Sequence, residues 1–343
     1  MSVKLRLANA VSTWPALRAG RLTRRRQYLL TGVTALSGLA LFAYAVRSVG
    51  LSPISEGIRR VGWGLIPILA IGGVRFALRT QAWRLCMRPG ARLPFRSALT
   101  AFLAGDAVGS VTPLGLAASE PTKAFLSRHR LATSDAVSSL ATDNLVYAAS
   151  ALAMVGIGVA VLLATVPLPF EWQEWGVAAL VLLVAAGGAG LRLLRGTWSP
   201  EQGPRPLWRE RLAGVRQSVL GFSAENPGRL WQAFALGMAF HALAVFEVFF
   251  TLGWIHPQSA PTLSQSVVFE ALNRVQMLAF KFVPFRVGID EALSGGLAPA
   301  LNMPAAVGVT LAIVRKVRNL FWAAIGLALM AGRAPGGSAT DRP

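Results

Sequence analysis

The chain has 343 residues, 54% of them hydrophobic and only 14% charged, with 34 Lys and Arg against 15 Asp and Glu and a formal net charge of +19. That balance argues against a soluble globule and for a polytopic membrane protein. The basic excess lies mainly in connections beside apolar runs, where it reads as topology and attraction to anionic headgroups; no DNA- or RNA-recognition module accompanies it, so no nucleic-acid partner is expected.

Residues 1–27, with Arg24, Arg25 and Arg26 among their seven cations, read as a basic cytoplasmic segment. Tyr28–Arg47 is the first apolar segment. Ala43-Tyr44-Ala45 could serve a signal peptidase, but the long basic leader suits an uncleaved anchor better. Trp63–Leu85 is the second span. In it Arg75 and Arg79 are four apart and share a helix face. Arg84 can snorkel to the near interface; Arg75 is too deep to do so.

Ser97–Val111 and Leu114–Leu126 are apolar, but each is shorter than the roughly 20 residues a spanning helix needs. Asp106 lies in the first, Pro113 separates the two, and Glu120, Pro121 and Lys123 lie in the second. Both flanks are basic. Two half-helices that enter from the cytoplasm and return to it explain both facts, and such broken backbone is tolerated at membrane depth only where it lines a cavity or is buried in protein. Two tilted spans are the alternative.

Asp135–Val166 is a full span in which Asp143 and Tyr147 share a face. Pro167–Glu174 has no Lys or Arg and reads as an external loop; Val177–Leu194 returns. Residues 192–229 form the longest polar connection, basic and therefore cytoplasmic, with Leu207–Phe222 a candidate interfacial helix. Leu230–Ile255 follows. Its His241 and Glu247 are six apart and do not share a face, so His241 reads as a packing residue.

Thr262–Phe282 carries Glu270, Arg274, Met277 and Lys281 as one helical stripe, with Glu270 and Arg274 spaced to pair. Pro284-Phe285-Arg286-Val287-Gly288 breaks it. Ile289–Leu301, with Asp290 and Glu291, is again short, and Ala305–Ala331 is the last span. Arg315, Lys316 and Arg318 sit near its middle. Three such cations cost on the order of 8–10 kcal/mol to place at a helix centre, while its eleven Val, Leu, Ile and Phe return roughly 3–7 kcal/mol. These cations must face protein, water or an anionic ligand, and a charged intramembrane cluster is by default a functional site.

The order span, span, broken pair, span occurs twice. The expected fold is therefore an all-α polytopic membrane protein with about six full transmembrane helices and two re-entrant helix pairs. It forms a single transmembrane domain over 28–331, and 332–343 is a short tail. Three crossings per half make the halves, about 28–166 and 177–331, inverted repeats, a transporter arrangement. Both termini are then cytoplasmic. The near-absence of Lys beside Arg points to a bacterial, GC-rich source and hence to the cytoplasmic (inner) membrane.

Pro113–Phe125, P-L-G-L-A-A-S-E-P-T-K-A-F, resembles the small/small-Glu-Pro-x-Lys/Arg-Ala-aromatic signature of the lysylphosphatidylglycerol synthetase transmembrane region, also described as a flippase-like integral membrane family. Phe282–Ala292 is similar to that family's Pro-x-x-x-Gly-x-x-Glu turn, and Val314–Leu327 to a third stretch, so the match runs in order over most of the chain. Ala118-Ser119 stands where glycines are usual. Glu120 and Lys123 match the first motif's charged pair, Gly288 and Glu291 the second, Arg315 and Arg318 the third. The resemblance implies handling of a lipid with a polar headgroup. Nothing in the chain resembles the soluble aminoacyl-transferase domain to which some members are fused, so synthetase activity is not expected.

The candidate substrate-binding residues are Arg75, Arg79, Glu120, Lys123, Asp143, Arg274, Lys281, Arg286, Asp290, Glu291, Arg315 and Arg318, with Pro113, Pro284 and Gly288 as structural turns. The cations suit an anionic headgroup, and the carboxylates balance them when the site is empty. Three functions compete: a lipid flippase or transporter, an accessory or scaffold subunit of an envelope-lipid or glycan-lipid biosynthesis complex, and a membrane-embedded enzyme acting on a lipid phosphate. The three histidines form no cluster and no nucleophile–base motif stands out, which disfavours the enzyme; no catalytic residue, metal or cofactor is expected. No Walker-type motif is present, so ATP hydrolysis by this chain is not expected either.

Overall fold

The computed structural model describes residues 51–91, 93–112, 115–167, 169–195, 217–280 and 283–331, and all regular structure among them is helical. The helices are α1 (Leu51–Val61), α2 (Leu65–Leu85), α3 (Phe95–Val111), α4 (Leu116–Ser127), α5 (Thr133–Thr165), α6 (Phe170–Arg195), α7 (Pro227–Ile255), α8 (Leu263–Ala279), α9 (Ile289–Leu297) and α10 (Ala305–Ala331). A short helical stretch over 217–225 leads into α7. Several expectations lie outside the described residues: the basic segment 1–27, Tyr28–Arg47 with Ala43-Tyr44-Ala45, Pro113, Lys281, most of the 192–229 connection and the 332–343 tail.

Ser55–Leu85, Thr133–Thr165 and Pro227–Ile255 are long and apolar enough to cross a bilayer. The second span extends further toward the N-terminus than expected: among the described residues helix runs from Leu51, twelve residues before Trp63, and reaches α2 through a 3₁₀ turn at Gly62–Gly64. α6 also starts early, at Phe170, so the stretch read as a loop is mostly helix. Glu171 in its first turn favours that start, because a carboxylate is stabilised at the positive end of a helix.

The two broken pairs have the expected short helices. α3 and α4 run about 26 and 18 Å at 1.5 Å per residue, against roughly 30 Å of hydrocarbon. α8 starts at a capping box, in which Thr262 Oγ1 accepts from Gln265 N at 3.2 Å and Gln265 Oε1 accepts from Thr262 N at 2.8 Å. It ends before a 3₁₀ turn, Pro284–Arg286, where Phe285 and Arg286 have φ of 49° and 47°. Gly288, at φ 83°, caps the nine-residue α9, and Glu291 accepts its N–H at 2.9 Å.

Packing interleaves the halves. α2 lies on α7, α3 on α10 and α5 on α8, while α4 packs on α3 and α9 on α10. Two large apolar cores and a small one around Ala82, Cys86 and Ala233 result. One large core gathers Ile68, Val248, Leu252, Phe269 and Leu311; the other gathers Trp83, Met87, Phe102, Leu131 and Leu140. Along α2, Ile68 belongs to the first and Trp83 to the second, and Arg75 and Arg79 lie between them.

Candidate functional site

Between the two cores five buried arginines meet three buried carboxylates. Arg75 on α2 donates to Glu247 on α7 at 2.9 Å, and Arg318 on α10 donates to the other oxygen of the same carboxylate. Arg274 on α8 pairs with Glu270, one turn earlier, at 2.7 Å; Arg315 on α10 reaches the second oxygen of Glu270 at 3.2 Å. Arg79 holds Asp143 on α5 with two parallel bonds of 3.2 and 2.7 Å, the planar fork that carboxylate recognition favours.

Aromatic groups fill the space between the pairs. Tyr147 accepts from Arg274 at 2.8 Å, and Arg79 stacks 4.2 Å over its ring. Arg75 lies 4.3 Å over Phe240. Ring faces attract cations most strongly where water is excluded, so these contacts help to hold guanidiniums that outnumber their carboxylates. His241 is fully buried, stacked on Tyr147 and 3.4 Å from Ser150 Oγ, while its Nδ1 has no hydrogen-bond partner among the described residues.

A second charged group borders the first at the broken turn. Arg286 donates to Asp290 at 2.8 Å, and Lys316 donates to both oxygens of Glu291 at 2.7 and 2.8 Å and to the carbonyl of Arg286 at 3.2 Å. Asn273 joins the groups: it accepts from Arg286 at 3.3 Å and donates to Glu270 at 3.2 Å. On the other side, Lys123 pairs with Glu120 at 2.9 Å, its ammonium 4.2 Å over the Phe102 ring, a ring that Arg79 also faces at 5.7 Å. Glu120, Arg286 and Lys316 keep side-chain exposures of 20%, 18% and 13%, so the flanking groups are less enclosed than the five-arginine network, where the most exposed side chain, Arg318, reaches 10%.

Of the candidates named from sequence, Arg75, Arg79, Asp143, Arg274, Arg315 and Arg318 thus form the network. Arg286, Asp290 and Glu291 form the turn group with Gly288, and Glu120 and Lys123 pair with one another. Pro284 opens the 3₁₀ turn. Lys281 and Pro113 lie outside the described residues. The candidate set omitted the two carboxylates on which the network turns, Glu247 and Glu270, and also Lys316 and Tyr147. The signal for Glu247 was present: an acid in the apolar run Leu230–Ile255 is as costly unpaired as a cation in Ala305–Ala331.

Helices long and apolar enough to span a bilayer, with an ion-pair network held between apolar layers, define a helical membrane protein with a charged interior. A family model for the lysylphosphatidylglycerol synthase TM region matches residues 29–326, and the chain belongs to that family. The matched region is the membrane part of such synthases, not their catalytic domain. No curated protein and no solved structure matches the chain.

Proposed function

We propose that the protein moves a lipid with a polar, phosphate-bearing headgroup between the leaflets of the bacterial cytoplasmic membrane, the headgroup passing through the arginine network while the acyl chains stay in the bilayer. One observation carries the reading: Glu247 and Glu270 each serve two arginines, so among the described residues the ion-paired network has five guanidiniums to three carboxylates. A buried excess of positive charge is costly in a membrane interior, and paired planar guanidiniums suit the oxygens of a phosphate. Membership of a family built on a lipid-modifying synthase's membrane region agrees with lipid handling.

In this reading about six helices cross the membrane, the α3–α4 and α8–α9 pairs are re-entrant, the halves are inverted repeats, and both termini are cytoplasmic. The packing supports the repeat. Exchanging α2 with α7, α3 with α8 and α5 with α10 turns the α3–α10 contact into α8–α5, and α2–α3 into α7–α8; all four contacts occur, and α2–α7 maps onto itself. Rocking one repeat against the other would expose the network to each side in turn.

A second reading, an accessory or scaffold subunit of an envelope-lipid synthesis complex, is favoured by one fact. Each of the five guanidiniums already has a protein acceptor within hydrogen-bond distance, as in a static brace. Purified protein in liposomes carrying a headgroup-labelled phosphatidylglycerol separates the two. Transport requires that label in the inner leaflet become reachable by an external quencher with this protein alone. Exchange that needs a second envelope protein points to the scaffold.

A further inference from the structure

From Ala101 to Ala107 every residue of α3 is buried except Asp106, which is exposed. Every other carboxylate on α2–α5 and α7–α10 has a cation partner, whereas the Asp106 side chain makes neither an ion pair nor a hydrogen bond among the described residues. The Lys123 stem lies on Gly105, where a Cβ would strike Lys123 Cγ, and the ammonium sits 4.2 Å over the ring of Phe102, one helical turn before Asp106. That ammonium donates to Glu120 Oε1 at 2.9 Å, while Glu120 Oε2 is buried without a hydrogen-bond partner. Asp106 and Glu120 thus share the neighbourhood of one lysine.

α3 packs on α10, α4, α2 and the turn Pro284–Arg286. The charges that act most on Asp106 are Lys123 and Glu120 from α4, Arg79 from α2 and Arg318 from α10. The other charged groups of these elements are engaged elsewhere: Arg75 with Glu247, Arg315 with Glu270, Lys316 with Glu291 and Arg286 with Asp290. Arg79 and Arg318 belong to the arginine network, so Asp106 borders the network without being ion-paired in it. Charges from three helices around an exposed carboxylate suit an opening filled with water rather than lipid. A phosphate among the guanidiniums sets a like charge against an ionised Asp106, and a nearby like charge favours the neutral form of the weaker acid. The phosphodiester stays ionised, and the carboxylate takes the proton. The coupling is reciprocal: a proton on Asp106 tightens binding of the anion.

We propose that Asp106 takes up a proton from water as the phosphate headgroup enters the network and returns it as the headgroup leaves, so that one proton accompanies each lipid. Only the carboxylate O–H bond forms and breaks. This assignment rests on the headgroup reading of the network and adds to it a coupling ion.

The test uses the full chain in detergent micelles, titrated with short-chain phosphatidylglycerol by calorimetry in two buffers of different ionisation heat, which counts the protons exchanged. The wild type should take up at most about one proton per lipid bound, and its affinity should rise as pH falls, by no more than about tenfold per pH unit. Asp106→Asn keeps the size of the side chain and fixes it neutral; it should bind the lipid without proton uptake. Asp106→Glu should restore uptake, and that pair of results supports the proposal. Lipid binding by the wild type without uptake, uptake unchanged in Asp106→Asn, or uptake lost only in Glu120→Gln overturns it and leaves the headgroup site standing. A wild type that binds no lipid overturns both the coupling and the headgroup reading.

Discussion

Arg75 and Arg318, on helices from opposite halves of the chain, end on one carboxylate, Glu247, which lies on a third helix. Arg274 and Arg315 share Glu270 in the same way. This sharing makes the network asymmetric to substitution. Glu247→Gln leaves two buried guanidiniums without their carboxylate, whereas Arg318→Gln leaves Glu247 paired with Arg75. The expected cost of Glu247→Gln is about 3–5 kcal/mol, that of a broken buried ion pair, and the Arg318 change should cost well under half as much. Thermal unfolding of the purified variants in one detergent measures the difference.

Tyr147 binds the Arg274 guanidinium through its hydroxyl at 2.8 Å. Tyr147→Phe keeps the ring over which Arg79 stacks and removes only that oxygen. A loss of about 1.5–3 kcal/mol is expected, the range for a hydrogen bond to a charged group. A double-mutant cycle with Arg274→Gln should recover most of it as coupling energy.

Gly308 and Gly326 bring α10 against its neighbours. A Cβ on Gly308 would collide with the Ser294 carbonyl on α9, and one on Gly326 with the Leu103 carbonyl on α3. Backbone cannot swing aside as a side chain can, so Gly308→Ala and Gly326→Ala should each cost about 1–3 kcal/mol or more. Gly156 on α5 faces open space, and Gly156→Ala should leave the melting temperature unchanged or slightly raised.

Gly288 holds φ 83°, a conformation that costs an L-residue about 1–2 kcal/mol. Its N–H is capped by Glu291, which also accepts from Lys316. Gly288→Ala and Glu291→Gln should therefore both loosen the start of α9, with faster amide exchange over 286–292 than over α10.

The break at Pro284–Gly288 and most described helix positions were legible because their signals are local: Pro284 and Gly288 punctuate an apolar run, and a charge amid Val and Leu has a known insertion cost. The same logic located Arg315 and Arg318 and required partners for them. It could not name the partners. Arg75 and Glu247 are 172 residues apart, and their meeting depends on how α2 lies against α7. The early start of α6 was missed for the opposite reason, since a stretch without Lys or Arg reads equally well as a loop or as an acidic first helical turn.

The shared carboxylates also allow headgroup passage through the network to be tested apart from folding. Replacing Arg315 and Arg318 together by Gln removes the two excess guanidiniums, yet leaves Glu247 with Arg75, Glu270 with Arg274 and Asp143 with Arg79, so the buried charges still balance. The decisive measurement is leaflet exchange of labelled phosphatidylglycerol by this double variant in liposomes, beside its melting temperature. Exchange should fall at least about a hundredfold, since two charged contacts to the headgroup are lost, with melting within a few degrees of wild type. Exchange at the wild-type rate, or its loss only together with collapse of the fold, would contradict headgroup passage through the network.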